Sequence, residues 1–119
     1  MIIIHQINLT NEQIDTINRT GSHDSVPAQR VRLKTQFGGS EGFDHSDFKF
    51  YKEAIKVDTD DLEEAFTLTN LYNDHSRVFA LGDHHSTSVG DILQKGDRYF
   101  MVEAFGFKEI YFFQDELEA

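Results

Sequence analysis

The chain of 119 residues contains no cysteine, no tryptophan and a single proline. Without cysteine there is no disulfide bond, no thiolate metal ligand and no cysteine nucleophile, which excludes those routes to stability and catalysis. Chains without disulfides fit a reducing compartment, and we therefore expect a cytoplasmic protein.

Long apolar runs are also missing. The first ten residues, MIIIHQINLT, place only four apolar side chains before His5 and have no basic residue in front of them. This pattern predicts neither a signal peptide nor a membrane span, so we expect no membrane association.

Apolar residues are nevertheless sufficient for a folded core. They make up 39% of the chain and include eleven phenylalanines and four tyrosines. A chain of this length is the size of one ordinary domain, and it can fold without cross-links because it buries about two thirds of its surface. We expect a single domain over residues 1–119.

Positive charge is scarce in the second half of the chain. Through Val57 seven acidic residues balance seven basic ones, whereas from Asp58 onward fourteen acidic residues face only four basic ones. The net charge of −10 therefore arises in the second half, which should repel phosphate backbones, so we expect no direct binding to nucleic acid. Such a surface either serves solubility or docks on a basic partner protein.

The first half predicts two strands, one helix and a long loop. Residues 2–7, IIIHQI, are typical of a strand, and Thr10 with Gln13 forms a capping-box pattern at the start of a helix that should end near Gly21. Residues 30–37, RVRLKTQF, alternate apolar and basic side chains and predict an edge strand. Residues 36–47 predict a mobile loop.

The second half predicts a helix followed by a β-meander. Residues 48–57 indicate a strand, residues 58–73 a helix capped by Asp58, and residues 77–81 a short strand. Residues 91–113 predict the meander, with turns at Gly96 and Gly106, and residues 115–119 predict an acidic tail. The expected fold is α+β, an antiparallel sheet with a C-terminal β-meander packed on two helices.

One loop, ALGDHHSTSVGD over residues 80–91, mixes imidazole, carboxylate and hydroxyl groups. Its candidate binding residues are Asp83, His84, His85, Ser86, Ser88 and Asp91. Adjacent histidines point to opposite sides of an extended chain and no zinc signature is present, so we expect no metal, and no motif indicates a cofactor. Ser86 or Ser88 with His85 and Asp91 has the residue types of a hydrolytic triad but lacks a nucleophile elbow. The favoured interpretation is a loop held by hydrogen bonds from its own hydroxyl and carboxylate groups.

The second half resembles the YodL-like domain family and related small phage and plasmid proteins. The resemblance covers residues of about 57–111 and rests on the acidic helix DTDDLEEAFTLTN, the loop HHSTSVGDIL and the strand AFGFKEI. The matching positions are His85, Ser86, Ser88, Val89, Gly90, Asp91, Gly106 and Phe107. The resemblance implies a mobile-element setting and no catalytic residues, because the family has no established activity.

Three functional hypotheses follow. The favoured one is a small acidic, non-enzymatic accessory or regulatory protein of phage or plasmid type that contacts a host or phage protein, for which a basic surface would be complementary. Its interaction surface would comprise Asp58, Asp60, Asp61, Glu63, Glu64, Asp115, Glu116 and Glu118. The alternative is a small-ligand or metal-dependent activity in the loop Asp83–Ser88. A third is self-association through the edge strand RVRLK.

Overall fold

The computed structural model describes residues 1–70 and 76–111. Within them the strands are β1 (Ile2–Gln6), β2 (Lys52–Val57), β3 (Val78–Ala80), β4 (Ile92–Lys95), β5 (Arg98–Val102) and β6 (Phe107–Ile110). The α-helices are α1 (Asn11–Thr20), α2 (Pro27–Gly38) and α3 (Leu62–Asn70). Short 3-10 turns occupy His23–Ser25, Gly39–Gly42 and His45–Phe50.

All six strands form one antiparallel sheet in the order β3-β2-β1-β4-β5-β6. The first strand of the chain lies inside the sheet, between β2 and β4. Its Ile4 is opposite Ile55 on one side and Leu93 on the other, and all three side chains are buried. Strand β1 therefore joins the N-terminal half of the fold to the C-terminal meander.

The helices cover both faces of this sheet. Ile4 belongs to a buried cluster that includes Ala65 of α3. Ile92 pairs with His5, the neighbour of Ile4, so the alternation of strand side chains places it on the opposite face. There it belongs to a second cluster with Val31 of α2 and, at the margin, Ile17 of α1. The sheet is thus the middle layer of three.

The predicted fold class is confirmed. The protein is α+β, its sheet is antiparallel, and β4, β5 and β6 form the expected C-terminal meander. Gly96 and Gly106 lie in the two connections of the meander with φ angles of 62° and 79°, a left-handed conformation that glycine adopts without steric cost. The helical content was underestimated, because α2 was not expected.

The prediction of a strand at residues 30–37 is wrong, since this segment lies within α2. Val31 and Thr35 are four residues apart and both buried, as on one face of a helix, while Arg30 and Arg32 are exposed. Pro27 is the first helical residue, where its missing N–H costs nothing. Because these residues form no strand, the hypothesis of self-association through an RVRLK strand edge is wrong as well.

The range 36–47, expected as a mobile loop, contains the end of α2, the turn Gly39–Gly42 and the start of the turn His45–Phe50. Asp44 and Asp47 form a reciprocal capping box at the second turn. Only the Lys52–Val57 part of the strand expected at 48–57 is confirmed, because the capping box begins a 3-10 turn that includes Phe48 and Phe50.

Helix α3 begins later than predicted. Its cap is Asp61, not Asp58, because Asp61 Oδ1 accepts hydrogen bonds from the backbone N–H groups of Glu63 and Glu64 at 2.9 and 3.2 Å. The described helix ends at Asn70, and the predicted continuation to residue 73 lies outside the described residues. No helix in residues 1–70 and 76–111 is both long enough and apolar enough to cross a bilayer.

The close packing of the turn Gly39–Gly42 on α2 can be tested at Gly42. A Cβ there would overlap the Lys34 carbonyl oxygen and lie 2.8 Å from the Lys34 carbonyl carbon. We expect Gly42→Ala to lower the free energy of unfolding by about 1–3 kcal/mol, the usual cost of overpacking. Chemical denaturation measures this change.

Gly38→Ala is the matched control, because a Cβ at Gly38 meets no atom within 4 Å and its φ of −105° suits any residue. The control should be as stable as the unchanged protein or slightly more so. Equal stability of the two variants would show that the turn does not pack on α2 as described.

Candidate functional site

Gln6, at the end of β1, forms hydrogen bonds with the loop of residues 80–91. Its side chain is fully buried, and its amide pairs with both backbone groups of one loop residue. The Gln6 Nε2 group donates to the His85 carbonyl at 2.9 Å, and Gln6 Oε1 accepts from the His85 N–H at 3.0 Å. The side chain therefore satisfies the loop backbone as a neighbouring strand would.

Asp91 closes the loop from its other end. Its Oδ2 accepts from the Ser88 N–H and from Gln6 Nε2, both at 3.0 Å, and its own N–H donates to the Ser88 carbonyl at 3.0 Å. Burial raises the pKa of the Asp91 carboxyl to about 6, although positive charge on His85 and these hydrogen bonds act in the opposite direction. Asp91 is thus a buried acid at the base of the loop.

Gly90 brings the loop against α2. Its φ is 95°, and a Cβ there would lie 2.9 Å from Thr35 Oγ1 and 3.2 Å from the Thr35 carbonyl carbon. The Gly90 carbonyl accepts a hydrogen bond of 2.6 Å from the hydroxyl of Tyr51, whose pKa is raised by burial. Glycine is needed here both for its backbone angle and for this close approach.

The middle of the loop is hydrogen-bonded to α3, and the start of the loop is hydrogen-bonded to the segment that follows β1. The hydroxyl of Thr87 lies 2.5 Å from that of Thr69, and its carbonyl accepts from Asn70 Nδ2 at 3.2 Å. The Asp83 carbonyl accepts from Asn8 Nδ2 at 2.8 Å. Together with the contacts of Gln6 and Gly90, these hydrogen bonds hold the loop at both ends and in the middle.

The two adjacent histidines have different surroundings. His84 is exposed, and its Nδ1 lies 3.1 Å from the Gly82 carbonyl oxygen. His85 is half-buried, and its Nδ1 lies 2.7 Å from the Ser86 carbonyl oxygen, which can only accept, so Nδ1 carries a proton. Among the described residues, no hydrogen bond reaches the buried Nε2 of His85.

This geometry differs from that of a hydrolytic triad. Asp91 Oδ2 is 4.0 Å from His85 Nδ1, which instead contacts a carbonyl, so the carboxylate does not orient the imidazole. A triad requires that carboxylate contact and a serine hydroxyl on Nε2. Neither Ser86 nor Ser88 provides the second contact within the described part of the chain.

A small cavity lies between the loop and α2. It has a volume of about 40 Å³ and is lined by His85, Asp91, Ser88, Arg32 and Tyr51, among others. Water fits in such a space, but small-molecule sites usually exceed roughly 300 Å³. Across residues 1–70 and 76–111 no group of three or more histidine, aspartate or glutamate side chains is arranged to hold a metal ion.

The structure brings together only part of the predicted binding set. His85, Ser88 and Asp91 line the small cavity, whereas Asp83, His84 and Ser86 are exposed and do not line it. The residues that hold the loop and were missed from the sequence include Gln6, Tyr51 and Asn70. A polar Gln6 within an apolar strand is a local signal for its role, whereas nothing in the local sequence indicates the roles of Tyr51 and Asn70.

The predicted acidic interaction surface lies around the start of α3. Asp58, Asp60, Asp61, Glu63 and Glu64 are all exposed or half-exposed. The N-terminal ammonium pairs with Asp60, and Arg77 pairs with Glu64 at 2.7 Å. No ion pair within the described ranges involves Asp58, Asp61 or Glu63. The remaining predicted members, Asp115, Glu116 and Glu118, lie outside the described residues.

A groove that the sequence did not reveal adjoins this surface. It lies between α3 and the turn that joins β5 to β6, and its volume is about 370 Å³. Its walls include the apolar residues Phe66, Val89, Val102 and Phe107 and the carboxylates Glu63 and Glu103. We call it the acidic groove.

Comparison of the chain with protein-family models, with curated proteins and with solved structures finds no match. The resemblance to the YodL-like family over residues 57–111 therefore stays a prediction.

The buried Asp91 predicts a specific dependence of stability on pH. Its folded pKa of about 6 exceeds the unfolded value of 3.8, so folding favours the protonated acid. This contribution is complete below about pH 4 and is lost as the pH rises through 6, a change on the order of 2–3 kcal/mol at most. In Asp91→Asn an uncharged amide replaces the acid and this decline should disappear.

The measurement is urea denaturation between pH 4 and 7, expressed as the difference in unfolding free energy between each variant and the unchanged protein. Asp83→Asn removes an exposed carboxylate of the same loop and is the matched control for the loss of one negative charge. If the Asp91→Asn difference changes with pH no more than that of this control, Asp91 does not titrate as a buried acid.

Proposed function

We propose that this protein is a small, non-enzymatic accessory protein that works by binding another protein. The partner site is the acidic groove, and the ligand is a basic segment with one apolar side chain. The observation that supports this most directly is the composition of the groove, which has apolar walls and two carboxylates within one concave surface. The phage or plasmid setting enters this proposal only through the resemblance of residues 57–111.

The carboxylates of the groove are suited to attract positive charge. Glu103 Oε2 accepts hydrogen bonds from the Ser40 N–H and hydroxyl, both at 2.9 Å, and these bonds lower the pKa of the Glu103 carboxyl. Glu103 is therefore ionised at neutral pH and fixed in place. Glu63 is exposed on the facing helix, and the exposed Asp58 and Asp61 belong to the same acidic surface.

An exposed aromatic side chain adjoins the groove. Phe105 lies in the turn between β5 and β6, next to the lining residues Ala104 and Gly106, and is 97% exposed. Large aromatic side chains are enriched at protein interfaces because their burial on binding releases much ordered water. Phe105 would cover the apolar side chain of a bound segment.

The alternative, a small-ligand activity at the loop Asp83–Ser88, is favoured by one observation, the unpartnered Nε2 of His85. A melting scan with divalent ions and small anions tests it, because a ligand that binds only the folded state raises the melting temperature. A scan without any shift, or a shift kept in His85→Gln, would remove this alternative.

The proposed groove can be tested by selecting peptides from a random displayed library on the purified protein. We expect the enriched peptides to carry lysine or arginine on both sides of an apolar residue. Their affinity should fall at least about tenfold in Glu63→Lys and in Ala104→Trp, since the first reverses a groove charge and the second fills the groove. Fluorescence anisotropy at low and high salt gives the affinities.

Glu12→Lys is the control for net charge, because it changes an exposed carboxylate of α1, which packs on the other face of the sheet. It should leave peptide affinity within about twofold. Absence of enrichment, or peptides that bind Glu63→Lys and Glu12→Lys equally well, would rule out the groove as a partner site.

A further inference from the structure

A second groove, with the opposite charge, lies between α2 and the turn His45–Phe50. Its volume is about 620 Å³. Arg30, Lys34 and Lys49 supply cationic side chains, and Val31 and Phe50 supply apolar surface. We call it the basic groove, and it is unexpected in a chain whose net charge is −10.

Two of its three cations are not neutralised by the groove itself. Lys34 Nζ is 2.8 Å from Asp47 Oδ2, so these charges cancel at the bottom of the groove. Arg30 and Lys49 are exposed, and among residues 1–70 and 76–111 neither has an ion-pair partner. The Lys49 ammonium lies 5.2 Å from the ring centroid of Phe50, which positions the charge over the apolar surface.

The two grooves lie on opposite faces of the sheet. Phe66 and Val102 of the acidic groove belong to the cluster packed on α3, whereas Val31 and Phe50 belong to the cluster packed on α1 and α2. A ligand in one groove therefore leaves the other accessible. The two grooves therefore differ both in the sign of their charged side chains and in the face of the sheet on which they lie.

We propose that the basic groove binds an acidic peptide segment of a second partner protein, with carboxylates on Arg30 and Lys49 and an apolar side chain between them on Val31 and Phe50. Charge complementarity supports this occupant. A nucleic acid is less well matched, because two unpaired cations are few for a polymer with a charge on every nucleotide, and Asp47 places a carboxylate within the groove. The protein would then bridge a basic and an acidic partner.

The test uses the full chain and a fluorescein-labelled peptide in which glutamates flank one phenylalanine, read by fluorescence anisotropy. We expect saturable, salt-sensitive binding that weakens at least about tenfold in Arg30→Glu and in Lys49→Glu. Arg19→Glu, an exposed cation of α1, is the matched control and should change affinity by less than about twofold. Glu63→Lys should leave this binding unchanged, which separates it from the proposed function.

Three results would overturn the proposal. The acidic peptide could fail to bind, or could bind Arg30→Glu and Lys49→Glu as well as it binds the unchanged protein. A labelled single-stranded DNA could bind in place of the peptide with the same dependence on Arg30 and Lys49. Sedimentation could show self-association that is lost in Arg30→Glu, which would assign the groove to a second copy of the chain. Circular dichroism and melting of each variant confirm that lost binding is not lost folding.

Discussion

The pairing of the Gln6 amide with the backbone of His85 is the contact on which the rest of the molecule depends. A primary amide offers one donor and one acceptor side by side, so it matches the N–H and carbonyl of one residue without any further group. Because Gln6 is fully buried, loss of this pairing would leave its Oε1 without the hydrogen bond that a buried polar group requires. Asp91 extends the same contact, since Gln6 Nε2 also donates to it. The loop position therefore follows from β1.

That position determines the shape of both neighbouring surfaces. With Thr87 bonded to α3 and Gly90 placed against α2, the intervening Val89 lines both the small cavity and the acidic groove. The loop thus lies between α2 and α3 at this end of the sheet and contributes to both cavities. The polar groups of the loop form hydrogen bonds that hold its backbone in place, and the acidic groove lies beside it.

Some of the local structure was predictable from the sequence, whereas contacts between distant residues were not. The hairpin glycines Gly96 and Gly106 and the capping box of Thr10 and Gln13 are formed by neighbours, so the residues themselves indicate them. The segment RVRLKTQF fits both the two-residue period of a strand and the period of a helix. Val31 and Leu33 are two residues apart, and Val31 and Thr35 are four residues apart. Tertiary packing on the sheet decides between them. Gln6 bonds to a residue 79 positions later, which no local pattern can indicate.

For the same reason, the acidic composition of the second half of the chain did not by itself indicate where a binding site lies. Part of the negative charge of residues 58–64 is already engaged within the protein. Asp61 caps α3, Asp60 forms an ion pair with the N-terminal ammonium, and Glu64 forms one with Arg77. Glu63 of this stretch lines the acidic groove together with Glu103, which follows about forty residues later in the chain and accepts a hydrogen bond from Ser40. Likewise Arg30 and Lys49 come from two segments that were both predicted as strands. They line one groove because α2 packs beside the turn His45–Phe50. The two grooves each combine charged side chains with an apolar concavity, and they lie on opposite faces of the sheet.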